Sequence, residues 1–180
     1  MTENESIGKL RIIPYEDRYR QAFTRLNREW LEDFGLLEDA DQKHLNSPRE
    51  SIIEPGGQIF LAVENGNLVG TCAAVHGGGS TVEIAKLVTA PFARRRGIGR
   101  LLAQTVIEYA KGIGAKKVLL VSSTKLKSAL GLYASMGFIH RPLPAQPGYA
   151  SADVYMELVL SATHVKYDTR LSPSLHKNRW

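Results

Sequence analysis

The segment Ala90-Pro91-Phe92-Ala93-Arg94-Arg95-Arg96-Gly97-Ile98-Gly99 closes an apolar run and opens an amphipathic stretch, and its residue types suit an anion. Glycine turns the chain tightly and lets backbone N–H groups come close to a ligand. The helix that follows would add unpaired N–H groups and the positive end of its macrodipole, so a phosphate is the natural occupant. Two familiar phosphate loops do not fit. A dinucleotide fingerprint needs a small residue three positions beyond its second glycine, where this chain has Leu102. A Walker loop needs Gly-Lys-Ser or Gly-Lys-Thr, and neither occurs. On spacing alone the segment reads equally as a strand-to-helix turn with a solvated arginine run. A second group with chemistry to offer is Glu83, the only carboxylate in the apolar strand that ends at this loop. Burial beside a sheet would raise its pKa above the usual value of about 4.3 and make it a better base. The other reading is an edge glutamate that pairs with Lys86 or stays solvated.

Two motifs separate these readings. Arg94-Arg95-Arg96-Gly97-Ile98-Gly99 resembles the Arg/Gln-x-x-Gly-x-Gly/Ala acyl-CoA signature of the GNAT N-acetyltransferase family. Some thirty residues on, Ala129-Leu130-Gly131-Leu132-Tyr133-Ala134-Ser135-Met136-Gly137-Phe138 resembles that family's second signature, Ala-x-x-x-Tyr-x-x-x-Gly-Phe. The resemblance spans about Leu10 to Leu160. It implies an α/β (α+β) fold with a mixed, mainly antiparallel sheet flanked by helices, whose fourth and fifth strands splay around pantetheine. It also implies direct acetyl transfer from acetyl-CoA to an amine in a ternary complex. Backbone N–H groups around Leu87, Val88 and Thr89 would bind pantetheine and polarise the thioester carbonyl. Those of Arg94, Arg95, Arg96, Gly97, Ile98, Gly99 and Arg100 would hold the pyrophosphate. Tyr133 matches the tyrosine whose phenol lies near the CoA sulfur and is the candidate acid; as an isolated residue it reads as a core aromatic. Glu83 stands where relatives often place a glutamate and is the candidate base, directly or through water.

The chain departs from the pattern twice. Relatives often carry asparagine shortly before the tyrosine helix, where Ser122-Ser123-Thr124 stand here. A hydroxyl, of which Ser123 is the candidate, would replace the amide against the cofactor. Arg95 occupies a position where glycine is frequent, which is harmless if its φ is negative.

The elements that must position these groups follow from periodicity. Leu10–Ile13 reads as a short strand ended by Pro14. From Asp17 to Phe34, apolar residues Tyr19, Phe23, Leu26, Trp30 and Phe34 recur at helical spacing, and Gly35 supplies a C-terminal cap. A short, acidic, partly helical segment runs on to Pro48. Ile59–Glu64 and Leu68–Val75 are strands around the hairpin signal Asn65-Gly66-Asn67. Gly77-Gly78-Gly79 turns into a strand over Thr81–Thr89. Gly97–Lys111 is the helix after the loop, Lys117–Ser122 a strand too apolar to be exposed on either face, and Leu126–Ser135 a helix stopped by Gly137. A proline-rich loop, Arg141–Gly148, leads to a last strand, Val154–Leu160.

At 180 residues and 43% apolar content the chain suffices for one core and is short for two. The expected organisation is a single domain over 1–160 and a basic tail over 161–180, docked on the body or on a second subunit. No apolar run approaches the ~20 residues that cross a bilayer, the N-terminus is acidic and polar, and Cys72 is a lone thiol in an apolar strand. Together these point to a cytoplasmic protein without a membrane partner. The net charge of +5 gathers in the tail and in Arg94, Arg95, Arg96 and Arg100. CoA accounts for it more economically than nucleic acid, since no nucleic-acid module is recognisable. His76 and His140 lack clustered ligands, so no metal is expected.

The acceptor is then a primary amine, with a small molecule favoured. The acidic residues Glu29, Glu32, Asp33, Glu38, Asp39 and Asp41 would draw a cationic one, or form a solvated face. Trp30 reads as core. A homodimer is an expectation from the family alone. The competing readings are a non-catalytic acyl-CoA-binding sensor module and a protein or tRNA acetyltransferase docking through the basic tail.

Overall fold

Alternation along β2 (Gln58–Glu64) sets the layers, because successive strand residues face opposite ways. Ile59, Leu61 and Val63 join one buried cluster, and Phe60 and Ala62 join the other. The computed structural model describes residues 9–161, and the expectation for the tail lies outside the described residues over 162–180.

Seven strands form one sheet in the order β1-β2-β3-β4-β5-β7-β6. The others are β1 (Arg11–Pro14), β3 (Asn67–His76), β4 (Thr81–Thr89), β5 (Lys117–Ser122), β6 (Ile139–Arg141) and β7 (Val154–Val159). All neighbours are antiparallel except β4 and β5. Helices α1 (Arg20–Asp33) and α2 (Asp39–Asn46) cover one face, which buries Tyr15, Phe23, Leu31, Leu45, Ile52 and Leu61. Helices α3 (Ile98–Gly112) and α4 (Lys127–Ser135) cover the other, over Phe60, Leu102, Val106, Tyr109, Val118 and Met156. The expected class and sheet are those observed.

The β2–β3 hairpin turns at Asn65 and Gly66, both with positive φ, as a two-residue loop requires. Gly35 follows α1 at φ +62. The buried stripe of α1 is Phe23, Asn27 and Leu31 rather than the purely apolar face that periodicity suggests. Trp30 is half-buried and packs on Phe34, with ring centroids 5.1 Å apart. Three short elements escape sequence reading: β6, a π-helical turn over Arg49–Ile53 and a 3₁₀ turn over Pro91–Ala93. As expected, no residue of β5 is exposed, although only alternate residues are fully buried. Its second face borders a cleft rather than a packed layer.

Candidate active site

The cleft exists because β4 and β5 stop pairing. Their parallel register covers only Thr81↔Lys117, Val82↔Val118 and Glu83↔Leu119. Beyond Glu83 the strands part, which leaves one edge of β4 over Ala85–Thr89 without a strand partner among the described residues. A cleft open to solvent fills the gap. The splay expected from the family resemblance is therefore present in the register.

Glu83 lines this cavity at the point of divergence. Its neighbours Val82 and Ile84 point into the α3 core, so Glu83 faces the α1/α2 side. No described group donates a hydrogen bond to its carboxylate, and burial raises its pKa against the lowering pull of Lys86. It is not salt-bridged to Lys86, whose ammonium goes to Asp41.

Tyr133 enters the same cavity from the other side of the sheet, off α4. It is 6% exposed, its ring lies 5.5 Å from that of Phe138, and burial holds its phenol well above the usual range. A phenol in that state is protonated at neutral pH. Cys72 is fully buried and its thiol is likewise pushed up by burial, so it offers no thiolate nucleophile.

Leu87, Val88 and Ser123 line the cavity, Ser123 while buried at the base of α4. Thr89 lies at the end of β4, and its carbonyl accepts from Arg94 Nε at 3.3 Å. In the loop beyond, Gly97 caps α3 at φ +78, where any other residue would be strained. Leu101 N–H is the first α3 donor paired across the turn, to Gly97 O at 3.0 Å. The N–H groups from Arg95 to Arg100 thus stand free of backbone acceptors, and a side chain at Gly99 would make only ordinary contacts with Thr89 and Leu132. Free backbone N–H groups at a helix N-terminus are suited to receive an anion.

The arginine side chains are partly committed. Arg96 forks onto Glu64 at 2.6 and 3.0 Å, and Arg100 donates to Ser135 Oγ at 2.7 Å. Arg95 corrects an expectation: its φ is +61, not negative. The loop holds a left-handed residue there, at a strain of about 1 kcal/mol for a non-glycine side chain.

Sequence reading missed the wall of the cavity nearest α1 and α2. β4 carries one extra residue between Ala85 and Val88, opposite Thr71 to Ala73 on β3. At this bulge Lys86 has φ +53. Thr71 Oγ donates to Lys86 O at 2.7 Å and accepts from Asn27 Nδ2 at 3.1 Å. Asn27, wholly buried, spends its other N–H on Phe23 O and leaves Oδ1 unpartnered. The Lys86 ammonium pairs with Asp41 Oδ1, their side chains 6% and 2% exposed. The second Asp41 oxygen accepts from Glu38 N at 2.9 Å as a capping box. Tyr149 stands over the same ammonium, its hydroxyl at 3.4 Å. Glu38 in turn accepts from the N–H groups of Ala150 and Ser151 at 2.7 and 2.8 Å, so α2 holds the loop before β7 across the cavity. A lysine alone in an apolar strand gave the only hint.

Trp30, taken from sequence as core, lines the cavity. Of the acidic residues on and beside α1 and α2 only Asp41 does, and it is already paired with Lys86; Glu29, Glu32, Asp33 and Asp39 are exposed and do not line it, and Glu38 is held by the N–H groups of Ala150 and Ser151. Among the described residues no group of three or more ligating side chains would hold a metal, and no helix is long and apolar enough to cross a membrane.

Comparison with known proteins agrees with this geometry. The family model described as "Acetyltransferase (GNAT) family" matches residues 15–138. The uncharacterized N-acetyltransferase YjgM of Escherichia coli is 28% identical over 126 residues, which cover 66% of this chain and 75% of that protein. A GNAT-family acetyltransferase from Staphylococcus aureus superposes with a TM-score of 0.79 at 23% identity, over 85% of this chain and 100% of the other. The yncA protein of Salmonella typhimurium, solved with its cofactor acetyl-CoA, gives 0.71 at 18% identity, over 88% and 98%.

Proposed function

Because the chain belongs to the GNAT acetyltransferase family, we propose that it moves an acetyl group from acetyl-CoA to the primary amine of a small molecule, by direct attack in a ternary complex. The observation that carries this reading is the splay itself. It opens one cavity to both faces of the sheet, with an unpaired carboxylate from one side and a protonated phenol from the other.

Acetyl-CoA supplies a thioester to be attacked and a sulfur that leaves as thiolate. The chain's own groups do the rest. Backbone N–H groups of Arg95 to Arg100 hold the diphosphate, and Leu87, Val88 and Ser123 flank the pantetheine. The open edge of β4 over Leu87–Thr89 polarises the carbonyl, at a site where fixed dipoles need no reorganisation. Glu83, its pKa raised toward working pH, takes the proton from the ammonium directly or through a water. Tyr133 returns a proton to the sulfur. Holding both substrates in one cleft supplies the proximity that replaces a covalent intermediate, and the buried Cys72 thiol supports a route without one.

Calorimetric titration with acetyl-CoA and with desulfo-CoA tests the donor site. Micromolar or tighter affinity for both is expected. No heat and no thermal shift with either would overturn the reading.

A further inference from the structure

The acceptor end of the cavity holds a charge that catalysis of acetyl transfer does not require. Lys86 is buried, and it sits on a strand whose backbone is forced into the left-handed region to place it. Taking a lysine ammonium out of water is costly, and replacing a buried ion pair by packed apolar side chains is often neutral or stabilising. Strain and burial that persist together at a cleft point to function. The bulge is also held in place from outside. Asn27 on α1 donates to Thr71, and Thr71 donates to the Lys86 carbonyl, so three elements fix the position of one side chain.

Asp41 neutralises only part of what this ammonium offers. One N–H goes to Asp41 Oδ1, a second meets the Tyr149 hydroxyl at a long 3.4 Å, and a third remains for a ligand. Asp41 cannot swing away to compete, since its other oxygen is fixed by the Glu38 N–H. Glu83 lies three residues before Lys86 on the same strand and borders the same cavity. The wall therefore offers a proton acceptor and a hydrogen-bonding cation side by side, lined by apolar Trp30, Leu31 and Leu36.

We infer that the acceptor is a small amine that also bears a carboxylate, an amino acid or close derivative, with the carboxylate held by Lys86, the amine at Glu83 and an apolar body against Trp30. This rests on the acetyl-transfer reading above. Asp41 and Tyr149 are positioning residues that aim Lys86. The exposed acids of α1 take no part in selecting the substrate.

The test is CoA thiol release from acetyl-CoA, with the common amino acids, their carboxamides and the matching amines lacking the carboxylate as acceptors. Wild-type protein is expected to turn over at least one amino acid with kcat/KM tenfold or more above its carboxamide. In Lys86→Gln that ratio should fall close to one, mainly through KM, and Lys86→Arg should restore it. The ratio is read within one protein sample, so a general loss of stability does not move it. Equal use of acid and carboxamide by the wild type, or a ratio unchanged in Lys86→Gln, overturns the inference. Turnover of none of the panel also overturns it, and acetyl-CoA binding measured on the same sample then shows whether the donor-site reading survives.

Discussion

Gly99→Asp is expected to strengthen the fold while weakening acetyl-CoA binding tenfold or more. Gly99 lies in the first turn of α3, after the Gly97 cap. A Cβ there meets Thr89 Oγ1 at 3.7 Å and Leu132 Cδ2 at 3.8 Å, both ordinary contacts, and its φ is not left-handed. Replacing glycine in a helix gains a few tenths of a kcal/mol, and a carboxylate near a helix N-terminus adds about 0.3–1 kcal/mol. The sum, about 1 kcal/mol, corresponds to a rise in Tm of about 2–4 °C for a domain of this size. The same carboxylate would sit among the N–H groups proposed to hold the diphosphate. Two unit charges about 4 Å apart at an effective dielectric near 20 repel by about 4 kcal/mol. If a third of that survives screening, affinity falls tenfold, and the displaced N–H contacts add to the loss. Thermal melts and calorimetry on the same samples measure both effects. Gly99→Ala, which adds no charge and finds room, should bind acetyl-CoA as the wild type does. A Gly99→Asp protein that melts normally and binds acetyl-CoA within twofold of wild type would refute the backbone-cradle assignment.

Glu83→Gln should lower kcat/KM by about 10²–10⁴-fold, the usual worth of a general base, while raising Tm near neutral pH. Burial raises the folded-state pKa of Glu83, so its stabilising proton is fully held below the unfolded value of about 4.3 and is lost as pH rises through the folded one. At neutral pH the bare carboxylate is therefore a liability that glutamine removes, and the acidic limb of the wild-type rate profile should lie above the ordinary carboxylate range and be missing in the variant. Tyr133→Phe keeps the ring against Phe138 and should reduce kcat at least tenfold with acetyl-CoA affinity little changed; calorimetry and steady-state rates separate the two. Asp41→Ala strands the Lys86 charge in a buried site and should cost about 3–5 kcal/mol in chemical denaturation, whereas Asp39→Ala, exposed in the first turn of the same helix, should cost no more than about 0.3–1 kcal/mol.

What the sequence discloses and what it hides divide along physical lines. β4 and β5 are bounded as their apolar runs suggest, and the Asn65-Gly66 turn is where its positive φ values require it. These signals are local. β6 is hidden because three residues between Phe138 and Pro142 carry no period, and its existence depends on pairing with β7. The Lys86–Asp41 pair joins residues 45 apart in the chain, and the bulge that turns Lys86 inward leaves no mark on residue type. Arg95 shows the opposite failure, a residue that chemistry disfavours at its φ and that the loop nevertheless holds. Glu83 and Tyr133 were legible as candidates through a carboxylate in an apolar strand and a motif tyrosine. Their convergence on one cavity from opposite faces was not, since it depends on where two strands cease to pair.

The most direct test of the account is the initial rate of thiol release with acetyl-CoA and the best acceptor amine varied together. The account expects release that depends on the amine and reciprocal plots that intersect, the pattern of a ternary complex. Release without amine, or parallel lines that report an acetylated protein intermediate, would contradict it.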